Sequence, residues 1–492
     1  MPCWLHSGII YAADDGGLER AFNYRLACKR EPLVPGYHEA LIENQTNFFN
    51  KDWHLRVFEV EFSEFVHVWF TQHDDLDEAL RKYASQPHKK RRLRMRALLA
   101  ILDAGDWYHK TWTRKVLGKV KRAEIAKEGK ATRLINDLSP EGSLICGFVA
   151  DELKKAMAKF TEKRAYQFIK SPNLVDLSQV FGKLINPEGR LYFPFFSDDS
   201  CVSIRCTDGI YMANVDISSC DGSHTKAVFD LLRRVTRKDS RLRRYIDGAI
   251  RQCEMPLTMV SGSGREKVVL KPTSPVLYSG STLTTLINNF ANVAIACALL
   301  TRLDNVQPRK ADCQELIKTA AQAAGYIVTV EQCDTYHSLQ FLKHSPCLST
   351  TGVIVPVLNL GVLMRSFGTC WGDLPTYRKL GKYTFAQRRF LWNTSQVQCY
   401  KNCVTHPFLS ALRSRFRHGV DLSGEHDSWV VNNLEHNYSH LRVSADEVVK
   451  RYGITVTDLE ELEASVWEDA MINIAASRAI LQTDYGLSTP GG

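Results

Sequence analysis

An α+β chain built around an antiparallel sheet is expected from three features of this sequence. Between residues 191 and 215, three strand-like runs follow one another across two tight polar breaks, too short for the crossover that parallel strands need. Residues 74–104, 146–169, 222–252 and 282–303 mix apolar and charged residues at helical spacing. No internal repeat or low-complexity linker interrupts the chain, which argues for one body with several subdomains instead of tethered modules. A length of 492 residues is several times the usual single-core size, so two or more packed subdomains are expected.

The strand reading rests on particular residues. Leu191-Tyr192-Phe193-Pro194-Phe195-Phe196 is an apolar run, Ser197-Asp198-Asp199 is a polar break, and Cys201 to Cys206 alternates apolar with polar. The Thr207-Asp208-Gly209 turn leads into Ile210-Tyr211-Met212-Ala213-Asn214-Val215, again strand-like. Pro194 cannot donate to a ladder and demotes the first strand. Residues 256–271 read as a hairpin around Ser261-Gly262-Ser263-Gly264, a plain turn because the lysine and hydroxyl ending of a P-loop is absent.

Hydrophobic residues make up 44% and charged residues 24%, the balance of a folded chain with a large core. The net charge of +9 is unevenly spread, with basic clusters at 89–96, 110–133 and 233–244. Such clusters suit a phosphate backbone, although a solvated helix face explains any one of them as well. The 14 cysteines are scattered and reduced thiols in a cytosolic setting are expected; no leader is recognisable at the N-terminus. The longest apolar runs, 290–300 and 352–364, fall short of the roughly 20 residues that span a bilayer, so no transmembrane segment is expected.

Three elements carry chemistry. The first is Val215-Asp216-Ile217-Ser218-Ser219-Cys220-Asp221, a strand delivering one carboxylate at its end and a second five residues on. A magnesium ion needs hard oxygen ligands on a rigid support, which a buried strand end supplies at Asp216; Asp221 lies too far along to share that ion and is free to meet a sugar or cap a helix. The second is the Asp198-Asp199 pair in the turn between apolar strands, where two adjacent carboxylates repel unless cations sit against them. The third is Ser279-Gly280-Ser281-Thr282-Leu283-Thr284-Thr285-Leu286-Ile287-Asn288, a turn entering a helix on which Thr284 and Asn288 share a face.

Together these elements resemble palm motifs A, B and C of viral RNA-dependent RNA polymerases. Asp216 and Asp221 match motif A, Ser279, Gly280, Thr284 and Asn288 match motif B, and Ser197-Asp198-Asp199 matches motif C with serine in place of the usual glycine. Motif C ordinarily follows motif B, whereas here the acidic pair precedes motif A, and the only downstream Gly-Asp, Gly372-Asp373, has a single acid. The order C, A, B resembles the permuted palm of birnaviruses and permutotetraviruses. Lys127-Glu128-Gly129-Lys130-Ala131-Thr132-Arg133-Leu134-Ile135 looks like the basic motif F, residues 313–332 like motif D, and Phe341-Leu342-Lys343 like motif E. Cys333 stands where the motif D lysine is expected, which leaves the general acid unassigned. The resemblance covers roughly residues 119–345.

The resemblance implies a right-hand polymerase with an antiparallel-sheet palm. Its parts are an N-terminal extension with some of the fingers (1–110), fingers with motif F (111–190), a palm with motifs C, A, B, D and E and an inserted fingers segment (191–350), and a thumb and C-terminal region (351–492). It implies template-directed RNA synthesis with Asp216, Asp198 and Asp199 holding two Mg2+ or Mn2+ ions about 3.5–4 Å apart. Lys130 and Arg133 would face the triphosphate, with Asp221, Ser279, Gly280, Thr284 and Asn288 around the nucleotide. Selection of ribose would fall to Asp221 and Asn288. The implied partners are RNA template and nascent RNA, nucleoside triphosphates and viral or host replication proteins, in host cytoplasm or virion.

Two rival classes are a metal-dependent nuclease and a non-enzymatic viral RNA-binding protein. The first needs no motif B element, and the second leaves the adjacent acids without a purpose. Cys399, Cys403, His436 and His440 have spacings that zinc ligands can take, but no CxxC pair accompanies them and zinc is not expected.

Overall fold

The computed structural model describes residues 11–25, 37–88, 90–104, 116–121, 124, 126–127, 129–366, 443–464 and 474–486. The first part of the chain forms α1 (Asp15–Arg25), α2 (Tyr37–Lys51), α3 (Trp53–Phe70), α4 (Leu76–Ser85), α5 (Arg91–Ala104), β1 (Val116–Val120), β2 (Leu134–Asp137), α6 (Pro140–Thr161), β3 (Tyr166–Phe168) and α7 (Leu174–Ile185). The middle contains β4 (Leu191–Phe196), β5 (Asp199–Cys206), β6 (Gly209–Ile217), α8 (Lys226–Thr236), α9 (Arg243–Gln252), β7 (Leu257–Val260), β8 (Lys267–Leu270), α10 (Thr284–Leu303), α11 (Lys310–Ala323) and β9 (Val328–Gln332). Last come β10 (His344–Leu348), β11 (Ile354–Leu358), α12 (Leu360–Ser366), α13 (Ala445–Val449), α14 (Val456–Ala464) and α15 (Ile474–Tyr485).

The protein is thus a mixed α+β structure with sheets that are mainly antiparallel. Five strands form the central sheet in the order β3-β4-β5-β6-β9, with β3 parallel to β4 and every other pair antiparallel. A second sheet has the order β2-β1-β7-β8, in which the expected 256–271 hairpin is β7 and β8. The three strands expected between 191 and 215 are β4, β5 and β6, joined by the two-residue turns Ser197-Asp198 and Thr207-Asp208. Gly209 sits at φ 129, a conformation that glycine adopts without penalty.

Period-two alternation decides what each face of the central sheet meets. Phe193, Phe195, Val202, Ile204, Val215 and Ile217 join the main core with α3, α6, α8 and α10. On the other face Tyr192 and Cys201 pack with Leu177 and Phe181 of α7 and with Phe341. The count carries Asp199 (with Cys201) and Asp216 (between Val215 and Ile217) to this second face, away from α10.

Two expectations need correction. Residues 146–169 are not one helix: α6 starts earlier, with Ser139 accepting from the Gly142 N–H and Pro140 in the first turn, and the chain re-emerges as β3. Pro194 does not demote its strand to an edge. β4 lies between β3 and β5, and the ladder to β5 simply has no partners for Phe193 and Pro194. Separately, α10 is by length and composition apolar enough to cross a membrane, but most of it is buried within the protein. A helix apolar on all sides suits the middle of a large core.

The nine described cysteines are free. Cys399, Cys403, His436, His440 and Gly372-Asp373 lie outside the described residues, as does much of 351–492. What is described there is helical apart from β11 and packs around its own core of Val355, Leu363, Tyr452, Leu459 and Ile480. A buried ion pair ties this unit together. Arg451 Nε meets Asp484 Oδ1 at 3.2 Å, with the two side chains 5% and 1% exposed, and Asp484 Oδ2 accepts from the Gly361 N–H and the Tyr452 hydroxyl. Arg451 also donates to Ser338 O and the Gln340 side chain, anchoring the unit to the segment after β9. Asp484→Ala leaves that guanidinium buried without its charge partner, and the expected loss is about 3–5 kcal/mol. Urea unfolding followed by tryptophan fluorescence checks this, with a milder loss expected for Asp484→Asn.

Candidate active site

The central hairpins bring the sequence-predicted acids together. In the antiparallel pairing of β5 with β6, Asp199 is the direct partner of Asp216, and Asp198 occupies the turn immediately before. Like charges in opposed positions destabilise a sheet, so nothing in strand energetics favours this arrangement. Asp198 and Asp216 are open to solvent and Asp199 is half-buried, yet all three are crowded by protein. Loss of hydration raises the pKa of each. For Asp199 burial outweighs the Leu342 N–H that stabilises its anion, and with Asp198 and Asp216 nearby its pKa is pushed up to about 7. Burial also raises Asp216, against the opposing pull of Lys130, Lys127 and Arg133. Asp198 is raised by burial first and then by Asp221.

Those cations come from the 127–133 segment, so the basic stretch expected to line the site acts on its acids. Lys127 is itself pushed down, by burial and then by Lys130 and Arg133. Arg133 is also held by Glu124 at 3.0 Å.

The Ser279 turn and the start of α10 meet the segment after β6. Ser279 Oγ donates to Asp221 Oδ2, and Asn288 Nδ2 donates to Asp221 Oδ1 at 2.8 Å. Asp221 does not cap the next helix; Thr225 does. Asn288 is 1% exposed and fully engaged: its amide also donates to Ser197 Oγ, and its carbonyl accepts from His224 Nε2 at 2.7 Å and from the Cys220 thiol. The Nδ1 of His224 faces the Tyr326 hydroxyl at 2.9 Å, and burial lowers the imidazole pKa against the opposing pull of Asn288 and Asp221. Thr284, one turn before Asn288 on α10, donates its hydroxyl to Tyr278 O.

Gly280 is held for two reasons. It lies at φ 96, and a Cβ there would sit 2.9 Å from Asn136 O on β2. Asn136 in turn donates its backbone and side-chain N–H groups to Ser279 O, which docks the Ser279 turn against the second sheet.

The acids offer hard oxygen donors of the kind a magnesium or manganese ion takes. Among the described residues, however, no group of three His, Cys, Asp or Glu side chains is gathered closely enough to hold an ion as it stands. Asp199 is turned to the Leu342 N–H, at a turn where Leu342 and Lys343 both have positive φ. The donor chemistry fits a divalent cation, while the convergence is incomplete.

Sequence reasoning missed four residues of this network: His224, Tyr326, Asn289 and Asn292. Asn289 Oδ1 accepts from the Ser197 N–H at 2.8 Å, and Asn292 Nδ2 donates to Ser197 O. The available signal was three asparagines within five positions of an otherwise apolar helix.

No family model matches the sequence, and no curated protein does. A solved X-ray structure of the birnavirus VP1–VP3 complex is similar, with a TM-score of 0.49 and 12% identity, over 74% of this chain and 55% of that one. The chain spans about half the length of that neighbour.

Two outcomes are expected from this geometry. Asp199 has a folded pKa above its usual 3.8, so the native protein binds the extra proton between about pH 4 and 7; stability from this group is present at the low end of that window and is lost as the pH rises through about 7. Melting temperatures of cation-free protein should accordingly fall from pH 5 to 8, and Asp199→Asn should flatten the slope. Gly280→Ala should displace the Ser279 turn from Asn136 and destabilise the protein by more than about 1 kcal/mol, measured by the same melts.

Proposed function

We propose that this chain is an RNA-dependent RNA polymerase with a permuted palm in a right-hand architecture, copying an RNA template by nucleotidyl transfer. The observation that carries the reading is the meeting of the Asp198-Asp199 turn with Asp216 across β5 and β6, although the acidic turn precedes Asp216 in the chain. A circularly rearranged motif C requires this juxtaposition. A stray acidic turn does not.

The chemistry follows from the surrounding residues. Asp198 and Asp216, assisted by Asp199, would hold two Mg2+ or Mn2+ ions, which when bound acidify the primer 3′-hydroxyl and neutralise the leaving pyrophosphate. Lys127, Lys130 and Arg133, whose charges already act on Asp216, would bind the triphosphate. Asp221 and Ser279 are both partly exposed and would meet the ribose hydroxyls. Asn288 has no hydrogen-bonding capacity left and would act through Asp221. The central sheet would be the palm, and the β2-β1-β7-β8 sheet part of the fingers. The basic clusters would take the RNA backbone.

The deciding experiment is template-dependent incorporation of labelled nucleotides by purified protein with Mg2+ or Mn2+. Asp216→Ala and Asp198→Ala should each abolish incorporation and leave RNA binding nearly intact, because they remove ion ligands and not phosphate contacts. Degradation of RNA without nucleoside triphosphates would turn the reading to a nuclease, and RNA binding without product under either metal to a binding protein. Asn288→Ala should narrow the preference for ribonucleotides over deoxyribonucleotides through a loosened Asp221, and an unchanged ratio in a folded variant would remove it from that role.

A further inference from the structure

We infer that Asn289 and Asn292 are positioning residues that hold the Ser197-Asp198 turn in the conformation that presents its carboxylate, a role that rests on the polymerase reading for its use but not for its test. The turn joining β4 to β5 has two residues, and Ser197 at its first position lies at φ 57. That is the left-handed region, where a side chain costs roughly 1–2 kcal/mol and glycine is the usual occupant. Ser197 is held there by contacts at three points: Asn289 takes its N–H, Asn292 donates to its carbonyl, and Asn288 donates to its hydroxyl.

Asn289 and Asn292 make poor core residues. Each is 0% exposed in a helix where Phe290, Ala291, Val293, Ala294 and Ile295 are equally buried. Asn289 Nδ2 and Asn292 Oδ1 find no hydrogen-bond partner among the described residues. An apolar residue at either position would pack without leaving a buried amide half satisfied, so packing alone does not account for them. Their paired halves both go to the peptide groups of Ser197, one residue from Asp198. They supply externally the restraint that a glycine at position 197 would make unnecessary.

That equivalence is the test. Mn2+ binding is titrated by electron paramagnetic resonance on the full chain for the wild type, N289A, S197G and the N289A/S197G double variant, with nucleotide incorporation measured alongside. N289A should weaken Mn2+ binding about tenfold, as expected for releasing a strained turn. In the S197G background the same substitution should cost less than about threefold, because glycine takes positive φ without strain. Asn292→Ala examines the other peptide group and decides the matter if N289A does not fold. Equal losses in both backgrounds, unchanged Mn2+ binding in folded N289A and N292A, or no Mn2+ binding by the wild type would each overturn the inference. A wild type that binds Mn2+ but makes no RNA product overturns the polymerase reading alone, and the titration still decides the role of the asparagines.

Discussion

Repulsion between Asp199 and Asp216, imposed by the register of β5 on β6, is the constraint around which the site is arranged. Once those residues are direct partners, both side chains must project from the same face of the sheet, and the two-residue turn adds Asp198 beside them. Burial raises the pKa of all three acids, and neighbouring carboxylates add to it for Asp198 and Asp199. Other parts of the molecule offset it in different ways. The 127–133 segment brings positive charge to Asp216, and the turn at Leu342 gives Asp199 a backbone donor. A sheet selected for stability alone would not oppose two acids, and a local conflict of this kind is expected where function is served.

Around the acids, polar contacts join segments far apart in the chain. Asn136 holds the Ser279 turn, Ser279 and Asn288 hold Asp221, and Asn288 also reaches Ser197. Asn288 is therefore the physical link between the carboxylate of Asp221 and the turn that carries Asp198. With both donors and its carbonyl in use, it cannot move toward a ligand without releasing one of them. His224 and Cys220 determine which end of the amide faces which neighbour, and Tyr326 extends the chain of hydrogen bonds to the loop between α11 and β9. Displacement at any of these points carries a hydrogen-bond cost at the others, which suits a site whose parts must be in place together.

The central strands were legible in the sequence because strong alternation and short polar breaks admit few alternatives. The positions of Asp198, Asp199 and Asp216 followed from that meander, since their separation is local in the chain. The meeting of Ser279, Asn288 and Asp221 was reachable only through the family resemblance, because no spacing rule relates residue 221 to residue 279. Other features were obscured by competing effects. Pro194 sits inside a central sheet because the ladder has a gap at that point, which propensity cannot reveal. Ser139-Pro140 is an ordinary helix start, but its helix begins six residues before the stretch where the apolar spacing was noticed. Asn289 and Asn292 lay inside a run of helical core positions, where a polar residue looks like an interruption until its partner is known. Asn288 was assigned to a ligand from its spacing after Thr284 and the motif B resemblance, and only the structure reveals that its bonds are already taken.

Under the permuted palm proposed above, chain order would alter how the site is assembled while leaving the acids in the same relation. With the acidic turn ahead of Asp216, one continuous meander from Leu191 to Ile217 supplies the whole carboxylate cluster through local pairing. Local contacts carry little loop-closure entropy, so the acids can be brought together before the rest of the site is in place. The groups that restrain them come from later in the chain: Asn288, Asn289 and Asn292 on α10, then Leu342 beyond β9. The meander alone gives proximity without orientation, since Ser197 has no reason to remain at φ 57 until α10 packs behind it. In an order where the acidic turn follows α10, the helix would already be available when the turn forms. Here the helix must dock onto a hairpin whose charges repel, which places the demand for precise polar contacts on α10 and accounts for asparagines in a helix otherwise built to be buried.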